Sequence, residues 1–172
     1  MGNKMQYHFT MTERISDFLI RRNILRYPVP LIEYCNGDSE GVYLEFQIAI
    51  EGENHKFYVK KDGLRTYELR AAYLETFCNC KINGHAYIRK ETPVNKGDIV
   101  LDGGGCEGFF TRYALARGAA KVIVFEPCTK LADGLCKSFR QEILSDRVII
   151  VKKALGSKKA ERSLVINTDM YC

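Results

Sequence analysis

The chain has 172 residues, of which 46% are hydrophobic and 27% charged, an ordinary globular composition with enough apolar residues for a core. Its formal net charge of +5 is modest, and the lysines and arginines are scattered rather than banded, which argues against a nucleic-acid partner. No apolar run approaches the ~18 residues that a membrane span needs, and the polar start does not resemble a secretory signal. We expect a cytoplasmic protein of one domain, or one and a part, without a membrane partner.

The seven cysteines are an odd number at irregular spacings, which predicts reduced thiols rather than a disulfide framework. Cys78, Cys80 and His85 come nearest to a zinc motif. The single residue between the two cysteines is not the usual ligand loop, however, and a second ligand pair is missing. We therefore predict no metal site.

Residues 1–95 predict a helix and β-hairpin region. Two stretches have apolar residues at helical spacing. Between them lies a stretch in which every second residue is apolar, the pattern of a strand with one buried face. In chain order, the predicted elements are an amphipathic helix (Met11 to Leu25), a hairpin of two strands (Val42 to Ile50 and His55 to Val59) and a second helix (Leu64 to Phe77).

Residues 96–172 predict an α/β fold with a parallel, Rossmann-like sheet, because short apolar strands alternate with helices. Gly118 stands where a glycine would end the first helix. The predicted elements are strand Asp98 to Leu101, helix Gly108 to Arg117, strand Lys121 to Phe125, helix Thr129 to Leu144 and strand Val148 to Val151, with Arg162 to Asn167 as a candidate for a further strand.

A glycine-rich turn follows the first strand of this part. Such a turn lets the backbone approach a ligand closely, and the helix behind it presents unpaired N–H groups. An acid that closes the next strand is placed to accept hydrogen bonds from ribose hydroxyls. We therefore predict a site for a nucleoside-bearing cofactor, formed by Asp102, Gly103, Gly104, Gly105, Gly108 and Glu126.

Two residues favour S-adenosylmethionine over a dinucleotide at this site. Asp102 would repel a pyrophosphate, whereas it would attract the positively charged amino-acid end of S-adenosylmethionine. Arg112 occupies a helix position where close packing around a dinucleotide needs a small residue. An NAD- or FAD-dependent oxidoreductase is the less favoured alternative.

Two neighbours of the turn are not assigned to the site. Glu107 stands beside a helix N-terminus, where the helix dipole alone favours an acid. Cys106 has no histidine or lysine nearby in sequence to activate its thiol, so we interpret it as a packing residue.

The same stretch resembles the FkbM-type family of S-adenosylmethionine-dependent methyltransferases. Three motifs carry the resemblance, in the family's order: Gly97 to Thr111 around the turn, then Phe125-Glu126-Pro127, then Ala154-Leu155-Gly156. The resemblance covers Lys96 to about Asn167. The chain departs from the family pattern at Gly105, usually alanine, and at Cys106, frequently asparagine.

The resemblance implies transfer of a methyl group to a hydroxyl of a small-molecule or saccharide acceptor. It implies that Gly104, Gly105 and Gly108 lie along the methionine part of the cofactor, that Asp102 supports its ammonium end and that Glu126 binds its ribose. Nothing in the chain matches the family's acidic fourth-strand segment, so no catalytic residue is predicted, and we expect a fragment or an inactive half. A non-catalytic cofactor-binding remnant or interaction module therefore stays open as an alternative.

Overall fold

The structure is a computed structural model that describes residues 33–35, 42–60, 72–73, 76–77, 87–89 and 91–163. Residues 72–73 and 76–77 are helical. The strands are β1 (Glu33–Cys35), β2 (Tyr43–Ile50), β3 (Glu53–Lys60), β4 (Ile99–Gly103), β5 (Lys121–Phe125) and β6 (Val148–Val151), and the longer helical segments are α1 (Phe109–Ala116), α2 (Thr129–Ser138) and α3 (Arg140–Leu144).

The first sheet is antiparallel, with the strand order β1-β2-β3. Its hairpin pairs Ile50 with Glu53 across a two-residue turn, Glu51-Gly52, in which both φ angles are positive (52° and 88°), as the twist of a tight hairpin requires. The predicted hairpin is confirmed, although β3 begins two residues earlier than the sequence indicated. Alternate side chains form one buried face, as a strand period of two dictates: Phe46, Ile48, Ile50, Phe57 and Val59.

The second sheet is parallel, with the order β4-β5-β6 and helices in both connections. The predicted α/β fold with a Rossmann-like parallel sheet is therefore confirmed. One face of the sheet is covered and carries the fully buried Val122, Val124 and Val148. On the other face, Ile99 and Leu101 are 69% and 66% exposed.

Helices α1 and α2 pack against both sheets. The ring of Phe109, the first residue of α1, meets the rings of Phe46 and Phe57 edge-on, at centroid distances of 6.1 and 5.1 Å. Helix α2 approaches β3 so closely that a Cβ on Gly134 would lie 2.5 Å from the carbonyl oxygen of Tyr58. The antiparallel sheet thus packs directly against the helices of the α/β unit.

The predicted helix from Thr129 to Leu144 is instead two helices, because α2 ends and α3 begins around Phe139. Phe139 has φ −111°, outside the helical range, and its ring is fully buried. The end of α1 is as predicted. Gly118 has φ +91°, and its N–H donates to Leu115 O, which closes the helix.

Several predictions fall outside the described residues. They are the helix from Met11 to Leu25, most of the helix from Leu64 to Phe77, the Cys78, Cys80 and His85 group, and the part of the candidate strand after Ser163. Arg162 and Ser163 are described and lie in no strand. The division of the chain at residue 95 stays a prediction. None of the helices in the described ranges combines the length and apolar character of a membrane span.

Candidate functional site

A cavity of about 250 Å³ opens at the carboxyl end of β4, the end of a parallel strand at which open α/β sheets bind ligands. Residues 101–107, from the end of β4 and the glycine loop that continues to Gly108, form one side of it. The other lining residues come from the start of α1 and from earlier in the chain: Phe109, Phe110, Ala72, Thr76 and Tyr87.

The structure brings four of the six predicted site residues to this cavity: Asp102, Gly103, Gly104 and Gly105. The other two, Gly108 at the end of the loop and Glu126, do not line the cavity. Gly108 is the residue before α1. Glu126 directly follows β5 and is 2% exposed.

Asp102 is a buried acid in a position to meet a ligand. It is 7% exposed, and its Oδ2 accepts a hydrogen bond from the hydroxyl of Thr111 at 2.5 Å. Burial raises the pKa of Asp102 to about 6. The Thr111 hydrogen bond opposes this rise, and the nearby charge of Glu126 adds to it. Near neutral pH the carboxylate is therefore charged but poorly solvated, and a cation would be favourable beside it.

Glu126 holds the loop in place. Its Oε2 accepts a hydrogen bond from the backbone N–H of Cys106 at 3.0 Å, and its Oε1 accepts one from the N–H of Cys128, the residue before α2, at 2.7 Å. One carboxylate thus ties the glycine loop and the start of α2 to the end of β5. Each carboxylate oxygen has a second lone pair, so a ribose hydroxyl is still compatible with this arrangement, and ribose binding by Glu126 stays a prediction.

The glycines of the loop serve different purposes. Gly104 has φ +95°, and a Cβ built on it would meet nothing within 4 Å. Gly105 lies against the core, where a Cβ would clash with Val124 and approach Leu135 Cδ1 to 2.9 Å. Gly108 has φ +87°, and its Cβ would lie 2.5 Å from the ring of Phe139. Only Gly104 combines a glycine backbone with open space, which is what close approach of a ligand requires.

Sequence reasoning missed several lining residues. Glu107, which the helix dipole seemed to explain, is 7% exposed and lines the cavity. Cys106 lines it as well, with φ +43°, a conformation that asparagine adopts more readily than other residues with a side chain. The asparagine that the family frequently has at this position could therefore have indicated a positive φ from the sequence. Tyr87, whose ring lies 6.0 Å from that of Phe110, is too distant in sequence to have been found.

Arg112, which the sequence used to argue against a dinucleotide, lies outside the cavity lining and joins α1 to the residues around α3. Its guanidinium lies 4.5 Å from the ring of Phe139, forms an ion pair with Glu142 and donates to Ser138 O at 3.1 Å. A large side chain at this position is therefore part of the helix packing.

The charges of the described lining residues favour a cationic ligand. Two of its lining residues, Asp102 and Glu107, are acids, and no lysine or arginine is found among the lining residues that the structure describes. Phosphate sites need the opposite, either basic side chains or a cluster of N–H donors without nearby acids. Here two of the loop's N–H groups, those of Gly104 and Gly105, already donate to Phe125 O, at 2.8 and 3.3 Å.

No family model matches the chain, and no curated protein matches it. Among solved structures it is similar to the Escherichia coli protein yhhF, provisionally described as a methyltransferase, with 20% identity and a TM-score of 0.40 over 63% of this chain and 54% of that one. It is also similar to the Haemophilus influenzae protein HI0767, provisionally described as a methylase, with 20% identity and a TM-score of 0.31 over 52% and 46%. The chain thus spans about half the length of these structures. Likeness at this level does not identify an activity, so the function must be argued from the site.

Proposed function

We propose that the chain is an S-adenosylmethionine-dependent methyltransferase of the FkbM type that methylates a hydroxyl group of a small-molecule or saccharide acceptor. One observation carries the proposal: a buried acid, Asp102, and an open glycine, Gly104, line the same cavity at the carboxyl end of β4. The sequence motifs of Gly97 to Thr111 and Phe125 to Pro127 support it.

The residues of the cavity fit S-adenosylmethionine better than a dinucleotide. The amino-acid end of S-adenosylmethionine carries an ammonium group, for which the partly desolvated carboxylate of Asp102 is a suitable partner. A pyrophosphate would lie against Asp102 and Glu107 with like charge. At about 250 Å³ the cavity is below the usual ~300–1,000 Å³ of pockets that enclose a whole ligand, which suits one end of the cofactor.

When bound, S-adenosylmethionine supplies a methyl group activated by a sulfonium centre. Asp102 would hold the ammonium group, and the backbone of Gly103 and Gly104 would lie along the methionine part. The rings of Tyr87 and Phe110 border the cavity, where they would exclude water and keep donor and acceptor in line. Glu126 would hold the loop and reach the ribose through its remaining lone pairs.

Calorimetric titration with S-adenosylhomocysteine and, separately, with NAD tests the proposal. We expect S-adenosylhomocysteine to bind more tightly. We expect Gly104→Val to abolish binding, because a β-branched side chain fills the open space and resists a positive φ. Gly97→Val is the matched control, since Gly97 has φ +91° and equally open surroundings but precedes β4, at the opposite end of that strand.

The outcomes separate the alternatives. Tighter binding of NAD would indicate an oxidoreductase, and equal loss of binding in both glycine variants would show that the loop is not the site. Binding of S-adenosylhomocysteine without transfer of a radiolabelled methyl group to a pool of hydroxylated acceptors would indicate a non-catalytic cofactor-binding protein.

A further inference from the structure

Thr111 is a buried residue that contacts the cavity only through another side chain. It lies on α1, is 0% exposed and does not line the cavity. Its hydroxyl nevertheless donates to Oδ2 of Asp102 at 2.5 Å. A hydroxyl in the core is thereby joined to the carboxylate that the proposed function assigns to the cofactor's ammonium group.

The two oxygens of Asp102 have different surroundings. Oδ2 is held by Thr111, whereas Oδ1 accepts no hydrogen bond from any residue within the described part of the chain. Rotation of the carboxylate would break the buried hydrogen bond and leave the Thr111 hydroxyl without its acceptor, which is unfavourable in a core. Thr111 therefore holds the carboxylate in one orientation and leaves the other oxygen for a ligand.

Thr111 also acts on the charge of Asp102. Burial raises the pKa of this carboxyl to about 6, and the Thr111 hydrogen bond is the one contribution that lowers it. Among the residues that the structure describes, the other ionisable groups around Asp102 are Glu126 at the end of β5, which raises the pKa further, Cys106 and Glu107 in the loop, and Tyr87, which also lines the cavity. None of these described groups is basic, so the Thr111 hydroxyl is the described group that favours the ionised form of Asp102.

We propose that Thr111 is a positioning residue for the cofactor's ammonium group: its hydroxyl orients Asp102 and stabilises the charged carboxylate. This inference rests on the proposed function. Protonated Asp102 cannot attract an ammonium group, so affinity is full well above pH 6 and falls as the pH drops through about 6. Loss of the Thr111 hydroxyl raises the Asp102 pKa, which moves the fall in affinity to higher pH.

Two measurements on Thr111→Val and Thr111→Ser test the inference. The first is a carbon-13 NMR titration of the Asp102 carboxyl without any ligand, with the Asp102→Asn variant used to assign the signal. The second is calorimetry with S-adenosylhomocysteine, which carries the same ammonium group, from pH 5.5 to 8.5. Valine has nearly the shape of threonine, and serine keeps the hydroxyl.

We expect a titration midpoint near 6 in the parent and in Thr111→Ser, and a midpoint about one unit higher in Thr111→Val. The affinity of Thr111→Val should then be about 3-fold weaker than that of the parent at pH 6.5, where about a quarter of the variant's carboxyl and about three quarters of the parent's would be ionised, and nearly equal to it at pH 8.5. Asp102→Asn should bind weakly, without this pH dependence.

The results distinguish failure of the inference from failure of the proposed function. If the parent binds no S-adenosylhomocysteine at any pH, the proposed function fails, while the NMR titration still reports on the Thr111–Asp102 pair. An unchanged midpoint in Thr111→Val, or an affinity loss equal at every pH, would overturn the inference, as would an unaltered pH dependence in Asp102→Asn. If Thr111→Val does not fold, that unaltered pH dependence in Asp102→Asn would still overturn the inference.

Discussion

The two halves of the glycine-rich loop differ, although the sequence shows little to separate them. Gly103 and Gly104 border the cavity, and the space beside Gly104 is empty to 4 Å. Gly105 also lines the cavity, but its missing Cβ, like that of Gly108, would point into the packed core, where Val124, Leu135 and Phe139 leave no room for it. Glycine spacing in a strand-turn-helix motif therefore reflects the packing of the motif as well as room for a ligand.

The largest effect should come from Gly108→Ala, which adds a steric clash with Phe139 to an unfavourable positive φ. Overpacking costs about 1–3 kcal/mol and a left-handed residue about 1–2 kcal/mol, so we expect a loss of about 2–5 kcal/mol in the free energy of unfolding. Urea denaturation measures it. Gly118→Ala is the control, because its φ is +91° but the added Cβ would approach its nearest neighbours, the Cβ and Cγ of Lys96, only to 3.3 Å. Equal losses in both variants would show that the second half of the loop is not tightly packed.

A smaller effect is expected for Gly105→Ala, where the added Cβ would clash with Val124 and Leu135 at a backbone conformation without positive φ. Overpacking alone predicts a loss of about 1–3 kcal/mol, measurable by the same denaturation. If Gly105→Ala has the same urea midpoint of unfolding as the parent and loses only ligand binding, Gly105 belongs with the cavity half of the loop.

The smallest effect on stability should come from Gly104→Ala. Its Cβ meets nothing, so only the positive φ costs about 1 kcal/mol, the same as for Gly52→Ala in the hairpin turn, where φ is +88° and the surroundings are also open. We expect the two variants to unfold alike but only Gly104→Ala to weaken S-adenosylhomocysteine binding. Equal affinities of the two variants for S-adenosylhomocysteine would contradict the division of the loop into a cavity half and a core half.

The sequence predicted the parallel sheet well because its strands are short apolar runs with clear ends. The predicted bounds of β5 and β6 match the structure. The break between α2 and α3 could not be predicted, since Leu135, Phe139 and Ile143 recur every four residues and continue the helical pattern across it. Whether a helix bends at such a residue depends on what its side chain packs against.

The sequence predicted those site residues that follow one another along the chain, but not those that tertiary packing brings to the cavity. Asp102 and the glycines follow directly from the strand and turn. The direction of the Glu126 carboxylate, toward loop N–H groups, depends on a contact with Cys106 twenty residues away. Tyr87 and Thr76 reach the cavity through tertiary packing alone, so no local pattern marks them.

The two-residue turn between β2 and β3 has a consequence for the order in which the chain folds. Ile50 and Glu53 pair across that turn, whereas Val100 and Val122 pair across a whole helix. Closing a short loop costs less chain entropy, and hairpins form within about 1–10 μs. We expect the hairpin to form ahead of the parallel sheet, so that Phe46 and Phe57 are already stacked, 5.4 Å apart, when Phe109 packs against them. The hairpin, which contributes no residue to the candidate site, would then provide the surface on which the first helix of the α/β unit assembles.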